Sequence, residues 1–128
     1  MASVTINASG DASPDEAWDR YLHPARWPDW APQITGVEAE SDELAPGVRG
    51  KVCGPLGLSA KFTVDAVDER RRAWSWTVRR WPVTLRLQHG VQPHDGGSRT
   101  WLTVEGPLPL VIGYVPLAHL ALRRLVAR

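Results

Sequence analysis

From Ile34 to Glu105 apolar and polar residues alternate with a period of two. Turn signals recur at short intervals: Ala45-Pro46-Gly47, Gly54-Pro55-Leu56-Gly57, Asp68 to Arg72, Trp81-Pro82 and Asp95-Gly96-Gly97. This pattern predicts an antiparallel meander, and with Val4 to Ala8 as a separate first strand it gives seven strands. Register tests the reading, because a one-residue slip would turn every side chain to the opposite face. A tight turn at Trp81-Pro82 sets Val78 opposite Leu85, Trp76 opposite Leu87 and Trp74 opposite His89. The Asp95-Gly96-Gly97 turn then sets Leu102 beside His89 and Val104 beside Leu87, and the Asp68 to Arg72 turn sets Val64 against Trp76 and Phe62 against Val78. Three hairpins agree on one dry face. The opposite parity collects Lys61, Thr63, Asp65, Ser75, Thr77, Arg79, Arg86, Gln88, Thr103 and Glu105 and is expected to meet water, with Arg86 and Glu105 as cross-strand partners.

A sheet with one dry side requires a cover. The segment Pro107 to Arg128 supplies it, with Val111, Tyr114, Val115, Ala118, Leu122 and Leu125 at helical spacing. Pro109 and Pro116 predict an irregular or kinked start, since a mid-helix proline removes one backbone hydrogen bond. The prolines and the short apolar run argue against a transmembrane segment. Ser13-Pro14-Asp15-Glu16 fits a capping box that opens a first helix through Ala17, Trp18, Tyr21 and Leu22, stopping near His23-Pro24. A second short helical segment, Ala25 to Trp30, places Trp27 and Trp30 on one face.

The whole is expected to form one domain, residues 1–128, because a chain of this length can bury a single core and the sequence shows no linker or internal repeat. Charge is nearly balanced, 15 Lys and Arg against 14 Asp and Glu, which offers no basic field for nucleic acid. The single cysteine excludes an internal disulfide and points to a reducing compartment; with no visible signal peptide, a cytoplasmic location is expected.

The Val4-Thr5-Ile6-Asn7-Ala8 strand leads into Ser13-Pro14-Asp15-Glu16-Ala17-Trp18. The segment Trp27-Pro28-Asp29-Trp30-Ala31-Pro32-Gln33-Ile34 follows, and later the Ala45-Pro46-Gly47 turn precedes Val48-Arg49-Gly50. In this order and over essentially the whole chain, these elements resemble the START-like (SRPBCC) superfamily and, within it, the polyketide cyclase/dehydrase-like branch. The resemblance implies an α+β helix-grip (START/Bet v 1-like) fold: a seven-stranded antiparallel sheet curved around a C-terminal helix, with two short helices after the first strand and an apolar cavity between sheet and helix. It is specific for fold and weak for function, because members include carriers, cyclases and interaction proteins.

Seven Trp against one Phe suggest a wide, shaped interior. Trp27, Trp30, Phe62, Val64, Trp74, Trp76, Val78, Leu87, Leu102 and Tyr114 are the candidate ligand-binding residues. Such indoles either line a cavity for a flat apolar molecule or simply fill the core. His89 is the candidate catalytic residue: inner-face parity puts its imidazole between Trp74 and Leu102, where it is either a neutral acid/base group or a hydrogen-bonded structural histidine. Arg80 has inner parity at the strand end and could meet an anionic group, although a solvated arginine is the simpler reading. Tyr114 and His119 could project polar tips from the closing helix. Trp101 falls on the wet face, and Cys53 on the outer face next to Ser59 as an inert thiol.

No metal-ligand spacing, phosphate loop, dinucleotide fingerprint or nucleophile elbow occurs, so no cofactor or metal is expected. The partner expected is an apolar small molecule, a lipid, isoprenoid or aromatic polyketide; a homodimer is allowed. The alternative is a cyclase or dehydratase that uses the cavity as a template and His89 as its acid/base group. A third reading is an interaction protein using the exposed sheet face or the closing helix.

Overall fold

A computed structural model describes residues 2–128. Strand β1 (Ala2–Gly10) leads to helix α1 (Pro14–Leu22), then to a single 3-10 turn at Pro24–Arg26 and the short helix α2 (Trp27–Trp30). The meander follows: β2 (Gly36–Ala39), β3 (Arg49–Cys53), β4 (Ser59–Asp68), β5 (Ala73–Arg80), β6 (Val83–His94) and β7 (Gly97–Gly106). Helix α3 (Leu108–Leu125) closes the chain. All seven strands form one antiparallel sheet in the order β1-β7-β6-β5-β4-β3-β2.

The registers are those required by the apolar parity. Trp74 pairs with His89, Trp76 with Leu87 and Val78 with Leu85; His89 pairs with Leu102 and Leu87 with Val104; Phe62 pairs with Val78 and Val64 with Trp76. Arg80 and Val83 bracket Trp81-Pro82 as a two-residue loop. Asp95 and Gly96 form the loop between β6 and β7, both at positive φ (47° and 81°), the backbone that an Asp-Gly hairpin turn requires. Burial of the inward Val64, Leu87, Leu102 and Val104 stabilises the fold by roughly 1.5–3 kcal/mol for each larger side chain.

Two features depart from simple alternation. The β4–β5 register shifts between Val64 and Ala66, leaving Asp65 as the extra residue of a bulge. Its carboxylate accepts a 2.7 Å hydrogen bond from the Thr77 hydroxyl. Thr77, expected in water, is therefore buried on the outer face. Trp101, also on that face, lies so close over Gly90 that a Cβ there would meet the indole nitrogen at 2.2 Å, so only glycine fits opposite it.

The expected irregular start of α3 is not found; the helix is continuous from Leu108. Pro109 falls in the first turn, where no helical N–H is needed. Pro116 is exposed, as is Ile112, whose carbonyl lacks its usual partner and can turn to water instead. By length and composition α3 could cross a membrane, but Val111, Ala118, Ala121, Leu122 and Leu125 are buried in the domain core. Its C-terminal end is tied to α1: the Arg20 guanidinium donates to Leu125 O, in the last turn, at 2.5 Å and to Ala127 O, just beyond the helix, at 2.7 Å. At the other end of α1, the Ser13 hydroxyl accepts from the Glu16 N–H at 3.1 Å.

Candidate functional site

The space under the sheet has two ends of different character. At the end covered by α1 and α2 the aromatic residues pack against one another. Trp27, 1% exposed, sits with ring centroids 5.6 Å from Trp74, 5.0 Å from Trp76 and 5.6 Å from Phe62. Its indole N–H donates to Tyr21 O at 3.0 Å. Tyr21 meets Trp30 edge-on, with centroids 5.4 Å apart. Between Trp27, Trp30, Trp74, Trp76, His89 and Leu102 there remains a void of about 20 Å³, room for about one water molecule. Val64 is buried in this core, away from both this void and the larger pocket described below.

His89 belongs to this filled end and is 4% exposed. Its ring stacks on Trp74 at 4.7 Å with an interplanar angle of 10°. The Trp76 indole can only donate, so its 3.0 Å contact to His89 Nε2 fixes that nitrogen as acceptor and leaves the proton on Nδ1. Nδ1–H then donates to the Tyr21 hydroxyl at 3.2 Å, Tyr21 O–H to Thr100 Oγ1 at 2.6 Å, and Thr100 O–H to the Gly90 carbonyl at 2.8 Å. Burial pushes the imidazole pKa down to about 3 and pushes the Tyr21 phenol above its ordinary value. Both ring nitrogens are engaged and the ring is neutral. Tyr21 and Thr100 carried no signal in the sequence as partners of His89.

At the opposite end lies an open pocket of about 260 Å³. Its sheet wall is formed by Val52, Ala60, Trp76, Val78, Leu85 and Leu87, and its rim by Gly54, Pro55 and Leu58. Gln33 and Ile34, from the loop after α2, and Tyr114 from α3 close it from the other side. Of the candidate ligand residues, the structure places Trp76, Val78, Leu87 and Tyr114 on this pocket. It places Trp27, Trp30, Trp74 and Leu102 in the packed end, with Phe62 buried against Trp27 and Trp76. Cys53, expected on the outer face, borders the pocket beside Ser59 at the strand end. His119 is exposed.

The polar groups of the pocket are few. Gln33 Nε2 donates to the Tyr114 hydroxyl at 3.3 Å, while Gln33 Oε1 is buried without a partner. Tyr114 O–H is left free to donate. Burial pushes the Tyr114 phenol up, against the smaller opposing effect of the Gln33 hydrogen bond, so it is neutral at physiological pH. Arg80 reaches the rim and donates to Ser59 O at 2.6 Å. The pocket thus offers an apolar wall, one acceptor and donor pair deep on one side, and a cation at its mouth. Among the described residues no group of three or more His, Cys, Asp or Glu is arranged to hold a metal ion.

Known structures share this architecture. Protein XoxI from Bacillus cereus superposes with a TM-score of 0.83 at 15% identity, covering 98% of this chain and 94% of that one. The crystal structure of Ara h 8.0201 superposes with a TM-score of 0.76 at 15% identity, over 97% and 94% of the two chains. The di-domain ARO/CYC BexL from the BE-7585A biosynthetic pathway gives 0.81 at 15% identity, matching 98% of this chain and 45% of that one. At such identities the likeness establishes the fold, the Bet v 1-like helix grip. No curated protein sequence matches the chain. The family profile described as polyketide cyclase / dehydrase and lipid transport matches residues 1–128 in full, and by that match the chain belongs to this family.

Proposed function

We propose that the protein binds an apolar small molecule carrying a hydroxyl or carbonyl group, held in the open pocket between β3–β6, the Gln33-Ile34 loop and Tyr114. The observation that supports this most is the pocket itself, about 260 Å³ of open space with a largely apolar wall and the hydrogen-bonded Gln33 and Tyr114 side chains on one side. Gln33 Oε1 is buried without a partner, at a cost of about 1–3 kcal/mol that a turn of the amide toward a ligand hydroxyl would remove. Tyr114 O–H, beside it, would donate to a ligand carbonyl. The ligand classes that fit are lipids, isoprenoids and polyketide-like aromatics, in keeping with the family's range.

In this reading the tryptophan cluster is the floor that gives the pocket its shape, and only Trp76 of that cluster touches the ligand. His89 is a structural residue. An acid or base needs a free lone pair or an acidic proton at the reacting atom, and the imidazole spends both nitrogens within the fold. A cyclase activity, if present, would draw on Tyr114, Gln33 and Arg80 as orienting and hydrogen-bonding groups around a templated chain.

The test is a pair of matched ligands, a naphthol and the corresponding naphthalene, titrated against the wild type and Gln33→Leu. The wild type should prefer the naphthol, and Gln33→Leu should lose that preference by about tenfold while holding the naphthalene as well or better. An unchanged preference in the variant would remove Gln33 from the site.

A further inference from the structure

The mouth of the pocket is surrounded by apolar side chains that the fold itself does not use. Leu56, in the loop between β3 and β4, is 98% exposed; Trp81, in the turn between β5 and β6, is 93% exposed; Ile112, near the start of α3, is 60% exposed. Leu58, at the pocket rim, and Leu108, at the start of α3, are exposed as well. These residues come from three separate segments gathered at one end of the sheet. Arg80 ties the Trp81 turn to the start of β4 through Ser59 O, and Gly106, just before α3, abuts Leu85 on β6. Leu56 also stands at a φ of 61°, a backbone conformation that a leucine adopts only with strain. A large apolar side chain, strained and almost wholly in water, gains nothing from the folded domain.

The charges carried by the tip segments themselves are basic. Lys61, Arg79 and Arg80 lie beside the tips and form no ion pair among the described residues, whereas Lys51 is matched by Glu38 at 3.0 Å and Arg86 stands in register with Glu105. No Asp or Glu occurs from Cys53 to Val64, from Arg70 to His94, or from Gly106 to Arg128. Apolar tips flanked by unpaired cations, on segments that carry no acid of their own, complement an anionic lipid bilayer: the tips enter the acyl boundary and the cations meet the headgroups. A second copy of the chain suits the surface less well, because a two-fold contact would set these like charges against one another.

We propose that this end of the molecule docks on an anionic membrane surface, bringing the pocket mouth against the bilayer so that an apolar ligand passes between them without crossing water. The proposal rests on the reading of the pocket as a ligand site, yet the two can fail separately. Co-sedimentation with phosphatidylcholine vesicles, with and without phosphatidylglycerol, reads the docking; binding of a neutral naphthylamine dye in vesicle-free solution reads the pocket.

The wild type should bind the anionic vesicles more tightly than the neutral ones. Trp81→Ser and Leu56→Asn, at positions too exposed to disturb folding and with Asn tolerant of positive φ, should each weaken vesicle binding by about tenfold. The double variant Lys61→Gln, Arg79→Gln should lose the preference for anionic vesicles, by about fivefold for each charge removed. Dye binding should be unchanged in all of these variants. Absence of vesicle binding by the wild type, or vesicle binding indifferent to Leu56 and Trp81, would overturn the docking surface and leave the pocket standing. Self-association abolished by Trp81→Ser, without vesicle binding, would overturn it in favour of a dimer. Vesicle binding without dye binding would uphold the docking surface and remove the ligand from the pocket.

Discussion

Acidification is expected to destabilise the protein from about pH 6.5 downward, before most carboxylates titrate, through His89. The imidazole takes up a proton near its ordinary pKa of 6.5 in the unfolded chain and only near 3 in the folded one, because burial disfavours the cation. Between those values the unfolded state binds more protons. The stabilising contribution of His89 is therefore complete above about pH 6.5 and is lost as the pH falls toward 3, by up to about 1.4 kcal/mol per pH unit. Charging the ring would also place a proton on Nε2, which would then oppose the Trp76 N–H that it now accepts. Urea denaturation at intervals from about pH 7 to about pH 4 reads this slope, with the variant His89→Phe as reference. The variant should be less stable at neutral pH, since Trp76 N–H loses its acceptor, and its stability should fall less steeply in acid. Equal slopes in the two proteins would mean that His89 is solvated and titrates normally.

The second large effect is expected from Trp27→Ala. Trp27 is wedged between Trp74, Trp76 and Phe62 and its N–H holds the Tyr21 carbonyl. Its removal should cost about 3–5 kcal/mol, the cost of emptying a tryptophan from a close-packed core, and lower the melting temperature by roughly 10–20 °C for a chain of this size. Calorimetry measures it directly. A loss below about 1 kcal/mol would show that the packed end is slack, and would return Trp27 to the wall of a ligand cavity.

Much of this architecture was legible in the sequence, because a hairpin must agree with its partner about which face is dry. The pairs Trp76 with Leu87 and Leu87 with Val104 follow from parity and turn positions alone. The N-cap at Ser13 and the stop before Pro24 follow from local side-chain and dihedral preferences, although of the expected capping box only the Ser13 half is formed. Parity says which face a side chain occupies, but not how far along that face the helices press. Nothing local fixes the depth at which α2 drives Trp27 between Trp74 and Trp76, so the filled end and the open end look alike in the sequence. The partners of His89 come from α1 and β7, and their meeting depends on how α1 sits across the sheet. Val52, Ala60 and Leu85 share the inner parity of Val78 and could have been assigned to the pocket on that ground. Gln33 lies in an aperiodic loop and gives no such signal. The continuity of α3 was hidden because a proline on a solvated helix face is tolerated where a buried one would not be.

The central claim is that the ligand occupies the open end of the sheet and not the tryptophan cluster. Ala60 lies on the wall of the open pocket and away from the packed aromatics. Ala60→Phe should fill the pocket without disturbing Trp27, Trp74 or His89. Titration of the neutral naphthylamine dye into the wild type and this variant is the most direct measurement. The predicted result is a loss of affinity of at least about tenfold in Ala60→Phe, with a melting temperature unchanged or raised by the added apolar contact. Undiminished dye binding by a folded Ala60→Phe would contradict the account and move the ligand elsewhere in the molecule.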